Sequence, residues 1–156
     1  MKAKDGILDR LNTVLRAELT AVHQYLLHAA LCKSWGYERL HEHFQHLAQE
    51  EVSHSSGLMN HILYLDGQPG VDKLDEVATG KNVQALIEAD LAFEVEDLNV
   101  LRECVTHAAK VGDYTTRHLL EEMTVDTEEH INWFETQLRT IKQVGLDRYL
   151  SEQLKS

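Results

Sequence analysis

The sequence predicts an all-α fold: four long helices in an extended bundle, with a long crossover between helices 2 and 3 and a short fifth helix at the C-terminal end. Apolar residues recur at steps of three and four along four separate stretches, each the signature of one buried helix face. No stretch alternates as a strand would, and the only proline is Pro69. An interval also repeats: 33 residues separate Glu18 from Glu51, and the same 33 separate Glu94 from Thr127. That echo suggests two hairpins related by internal pseudo-symmetry.

The first stripe reads Leu8, Leu11, Leu15, Glu18, Val22, Tyr25, Ala29 and predicts a helix over 6–34. The second reads Leu40, Phe44, Leu47, Glu51, His54, Leu58, His61, Leu65, for a helix over 38–65. The third runs Val83, Ile87, Asp90, Glu94, Asp97, Leu101, Cys104, Ala108, Val111, over 82–111. The fourth runs Leu120, Met123, Thr127, His130, Phe134, Gln137, Ile141, over 114–144. At about 1.5 Å per residue each helix is roughly 40 Å long, which suits a bundle. Gly36 and Gly112 mark short hairpin connections, whereas 66–81 is long enough to run the length of the bundle. Gly145 followed by Asp147 reads as a helix stop and a new N-cap, giving a short helix near 147–154.

With 156 residues the chain is expected to form one domain over 1–156. Its formal net charge of −11 disfavours nucleic acid and anionic membranes as partners and favours cations. No apolar run is long enough to span a bilayer. The first residues mix Lys2, Lys4, Asp5, Asp9 and Arg10 with apolar positions, unlike a signal peptide. Cys32 and Cys104 stand alone, as suits a reducing compartment. Together these predict a cytoplasmic protein.

Every stripe is interrupted by an acid, a histidine or both. An ionised carboxylate in an apolar stripe needs a proton, a cation or a metal, and none of the four stripes carries a Lys or Arg. Glu51 and His54, three apart, emerge on one helix face. Carboxylate oxygens with imidazole nitrogens suit iron or manganese and tolerate zinc.

Several segments, taken together, resemble bacterioferritin along essentially the whole chain. They include Ala17-Glu18-Leu19 to Gln24-Tyr25, Ser34-Trp35-Gly36, Glu50-Glu51 to His54, Ala89-Asp90-Leu91 to Glu94, Gly112-Asp113-Tyr114, Glu128 to His130-Ile131 and Gly145-Leu146 to Tyr149-Leu150. The resemblance implies a ferritin-like, 24-subunit shell that takes up Fe(II), oxidises it with oxygen and stores a ferric mineral. It implies one iron held by Glu18 and His54 and another by Glu94 and His130, with Glu51 bridging and Tyr25 alongside. Asp90 and Asp126 are expected to accept from the N–H groups of the liganding histidines. His46 and Glu50 fall where the family has an iron transit site on the inner surface; a solvated polar face is the other reading.

Two positions depart from the family pattern. Thr127 stands where a second bridging glutamate is expected, which predicts a degenerate di-iron site, a weakened second iron position and impaired ferroxidase activity. Val52 stands where the family has its haem-binding methionine, so no haem is expected in a homo-oligomer. The chain thus resembles either an iron-oxidising subunit or a non-catalytic subunit of a mixed shell, co-assembled with a second bacterioferritin subunit that carries ferroxidase and haem sites. Of the remaining histidines, His41 and His43 read as a solvated face, and His23, His28, His61, His107 and His118 as surface or hydrogen-bonding groups. Trp35 and Trp133 read as packing anchors, and Cys104 as core.

Overall fold

The computed structural model describes residues 1–156 and is all-α. Its elements are α1 (Ile7–Ser34), α2 (Glu38–Tyr64), α3 (Val83–Lys110), α4 (Tyr114–Val144) and α5 (Leu146–Ser151). The four long helices begin and end within one residue of the positions that periodicity predicts.

The two hairpins close by the same device. After α1, the amide of Gly36 donates to the Lys33 carbonyl (3.0 Å) and that of Tyr37 to the Cys32 carbonyl (2.9 Å). After α3, Gly112 donates to Ala109 (3.1 Å) and Asp113 to Ala108 (2.8 Å). This double bond satisfies carbonyls left over at a helix end and requires a left-handed residue, which Gly36 (φ 89) and Gly112 (φ 75) supply without a Cβ clash. The pseudo-symmetry suggested by the repeated interval thus extends to the turns. After α2 the same bonds form around Asp66 (φ 58), a non-glycine residue in that region.

Asn82 caps α3 by accepting from the Ala85 amide (2.9 Å), and Asp113 caps α4 by accepting from the Thr116 amide (3.0 Å). The expected cap at Asp147 is corrected. The chain re-enters a helix directly at Leu146, α5 has no side-chain cap, and Asp147 falls inside its first turn.

The crossover from α2 to α3 has no regular structure of its own and is strapped to α1. Asn12 Nδ2 donates to the Gln68 carbonyl, and Asn12 Oδ1 accepts from the Gly70 amide. Arg16 pairs with Asp75 (2.9 Å), Thr20 Oγ1 accepts from the Asp75 amide (2.9 Å), and Gln24 Oε1 accepts from the Ala78 amide (3.0 Å). His28 Nε2 meets Thr79 Oγ1 at 3.2 Å. Residues 12, 16, 20, 24 and 28 form one i+4 ridge, so α1 has a second, polar face devoted to this strap.

The apolar interior is divided in two. One cluster gathers Tyr25, Phe44, Leu86, Ile87 and Phe134; the other gathers Leu11, Leu15, Leu58, Leu101 and Leu120. On every long helix the residues between the two clusters are polar: Glu18; Glu51 and His54; Glu94 and Asp97; Thr127 and His130. The functional layer occupies this gap.

Candidate metal centre

Burying carboxylates at mid-bundle is costly, and the structure compensates by bringing acids and histidines from all four helices together. Glu18, Glu51 and His54 form one triad whose ligand atoms all lie within 4.8 Å of one another. Glu51, Glu94 and His130 form a second with the same spread. Glu51 belongs to both: its Oε2 lies 3.5 Å from His54 Nδ1 and its Oε1 3.5 Å from His130 Nδ1. The other carboxylates approach the same nitrogens, Glu18 at 3.2 Å from His54 Nδ1 and Glu94 at 3.3 Å from His130 Nδ1.

Each histidine turns its second nitrogen to an outer acid contributed by the opposite helix. His54 Nε2, on α2, donates to Asp126 Oδ2 of α4 at 2.7 Å. His130 Nε2, on α4, donates to Glu50 Oε2 of α2 at 2.5 Å. Such outer acids fix the ring orientation and raise the basicity of the inner nitrogen. Glu50 as the partner of His130 escaped sequence reasoning, although a signal was present: Glu50 precedes Glu51 as Asp126 precedes Thr127. Glu50 Oε1 also meets His46 Nε2 at 2.8 Å, so the His46–Glu50 pair is linked directly to the centre.

Asp90 is a correction. It does not reach the histidine of either triad. It lies one turn farther up α3, facing the polar ridge of α1, where it accepts from Gln24 Nε2 (2.7 Å) and His28 Nδ1 (2.8 Å). His28, read as a surface or hydrogen-bonding group, is the latter and is fully buried. His41 and His43 are corrected too. His41 is buried and donates to the Ala29 carbonyl across the first hairpin (2.8 Å). His43 stacks on Trp133 with ring centroids 3.8 Å apart, and burial pushes its pKa down to about 4. His23, His61 and His107 hydrogen-bond, His118 lies exposed beside Glu122, all as expected, and Cys104 is core.

Tyr25, fully buried between Phe44 and Phe134, donates its hydroxyl to Glu94 Oε1. Burial and then the charge of Glu94 hold the phenol well above its ordinary pKa, so it remains a donor. Burial raises Glu94, and His130 and Tyr25 pull it back. Burial opposes charge on His54, but Glu18 and Asp126 outweigh it and raise the imidazole to about 9. Glu94 and Glu50 do the same for His130, also to about 9.

The expected degenerate site is also corrected in its geometry: the second triad is assembled as fully as the first, with Glu94 and His130 buried beside Glu51. Thr127 is buried in the same layer. Val52 is exposed on α2. Asp97, on the third stripe, is buried, and its Oδ1 has no hydrogen-bond partner. It lies against Glu18; burial, then the charges of Glu18 and Glu94, raise it well above the usual carboxylate range.

The donor set fits a pair of hard or borderline divalent cations. It comprises three buried carboxylates and two imidazoles in two overlapping triads, and no Lys or Arg pairs with any of them. The orphaned Oδ1 of Asp97 adds a further acceptor lacking a donor.

Comparison with known proteins agrees. The family model for a ferritin-like domain matches residues 8–144. A bacterial ferritin of Synechocystis is 37% identical over 155 residues, covering 99% of both chains. A bacterioferritin of Brucella melitensis is 36% identical, covering 96% of this chain and 92% of that protein. A bacterial ferritin of Pseudomonas aeruginosa is 34% identical over 155 residues, covering 99% of this chain and all of its own. Fold, buried di-metal triads and full-length similarity agree: the chain belongs to the bacterioferritin family of ferritin-like proteins.

Proposed function

We propose that this protein is an iron storage and detoxification subunit that binds Fe(II) at the two triads, oxidises it with oxygen and passes ferric iron to a mineral inside a 24-subunit shell. The observation that carries this reading is the sharing of Glu51 between two buried triads. Two Fe(II) held side by side can each hand dioxygen one electron. Glu18, Glu51 and His54 bind the first ion, and Glu51, Glu94 and His130 the second. Asp126 and Glu50 keep the imidazoles aligned, and Tyr25 holds Glu94 in place. Phe44 and Phe134 exclude water on the Tyr25 side.

Exposed apolar side chains on α1 and α2, among them Leu26, Leu27, Val52, Leu63 and Tyr64, support assembly into a shell. Val52 has no donor atom for a haem iron, so a homo-oligomer binds none, and haem enters only with a partner subunit that supplies the ligand.

Anaerobic Fe(II) titration, followed by exposure to oxygen, tests the reading. Two Fe(II) bound per subunit and oxidation well above a metal-free protein control are expected. Binding of none, or oxidation at the control rate, would leave a non-catalytic subunit of a mixed shell. A monomer on size-exclusion chromatography would exclude the shell.

A further inference from the structure

A cavity on the α1–α3 face of the bundle reaches Asp97, a buried acid outside both triads. The cavity is about 200 Å³ and is lined by Thr13, Ala17, Asp75, Phe93, Glu96, Asp97 and Val100. Its outer acids differ in availability: Asp75 is already paired with Arg16, whereas Glu96 is exposed and free of any ion pair. Asp97 is the inner one. It is 5% exposed, its Oδ1 has no partner, and it lies against Glu18. A buried carboxyl whose Oδ1 has no protein donor must keep its own proton or meet a cation. Asp97 nevertheless stands outside both triads, so it is not needed to complete either one.

We propose that Asp97 is a loading ligand: it takes a divalent metal ion from the α1–α3 cavity and passes it to Glu18, the nearest member of the first triad. This rests on the di-metal reading above and adds an entrance to it. The site suits a hard divalent cation, since it offers only carboxylate oxygens. A buried acid at the end of an acid-mouthed cleft focuses the field on incoming cations and raises their rate of capture. A residue that only hands the ion on changes how fast the triads fill and not how many ions they hold.

Co(II), which oxygen does not consume here, is the probe. Its visible absorption reports coordination in a stopped-flow experiment on the full assembled protein, with equilibrium titration alongside. Asp97→Asn, near-isosteric, is expected to slow loading by about tenfold or more while two Co(II) still bind per subunit at equilibrium. Ala17→Leu narrows the cavity without touching an acid and is expected to slow loading in the same way. Thermal melts of the metal-free proteins check folding, and whichever variant melts as the native protein does decides the outcome. Loading at the native rate in that variant overturns the proposal. So does loss of one Co(II) at equilibrium in Asp97→Asn, which would make Asp97 a permanent ligand. If the native protein itself binds no Co(II), the di-metal reading fails first, and with it the entrance.

Discussion

Replacing Glu51 by glutamine should empty both metal positions, whereas Glu18→Gln or Glu94→Gln should weaken only one. The asymmetry follows from geometry: Glu51 faces His54 with one oxygen and His130 with the other, each at 3.5 Å. Glutamine keeps one neutral carbonyl oxygen and turns the other donor into an amide that cannot bind a cation. Losing a group that merely orients a ligand costs about 10–100-fold in affinity, so losing an anionic ligand costs at least that at each position. Over two positions the loss compounds to about 10²–10⁴-fold, or roughly 3–5.5 kcal/mol for the pair. Electrostatics alone allows that size, since one pair of unit charges at 3.5 Å is worth about 5 kcal/mol at an effective dielectric of about 20. Anaerobic Co(II) titration by calorimetry measures it directly. Glu51→Gln binding one ion at native affinity would refute the shared-ligand argument, because Glu51 would then serve a single position.

Glu50→Gln and Asp126→Asn should act crosswise. The first should loosen the ion held by His130 and the second that held by His54, each by about 10–100-fold, as read from separate steps of the same titration. His28→Ala removes a buried partner of Asp90 and should cost about 3 kcal/mol in urea unfolding while leaving metal stoichiometry unchanged. A change in stoichiometry would put Asp90 back at the metal. Metal-free protein should lose stability as pH rises. The imidazoles of His54 and His130 are raised from 6.5 to about 9, so their contribution is complete below 6.5 and fades through 9. The raised carboxyls of Glu94 and Asp97 push in the same direction. Chemical denaturation in a chelator across that range checks the sign, and a rising stability would contradict it.

The helices and the buried layer of acids and histidines were legible because they lie on a single 3.6-residue period, and a buried acid on such a stripe is conspicuous. The misplacement of Asp90 has one cause: α1 buries two faces. A search for one stripe finds Glu18 and Tyr25 but passes over Asn12, Thr20, Gln24 and His28, whose partners lie on the crossover and on Asp90. Asp90 was correctly placed in the interior, but its partner sits on that second face. His41 and His43 look solvated because polar residues surround them in sequence, yet one satisfies a carbonyl of the neighbouring helix and the other lies flat on Trp133. The absence of a glutamate at 127 argued for a broken centre. Geometry depends instead on where Glu94, His130 and Glu51 converge, and the packing of α3, α4 and α2 fixes that.

The strap between α1 and the crossover also bears on how exchange with solvent reads out the protein's stability. The amides of Asp75 and Ala78 belong to no helix, yet each is held by a side chain of α1, Thr20 or Gln24, from a buried face. Such amides open only when the supporting side chain leaves, so their deuterium uptake should follow the opening of α1 and not the motion of a loop. Two positions in an irregular segment would then serve as reporters of the unfolding of a helix dozens of residues away in sequence.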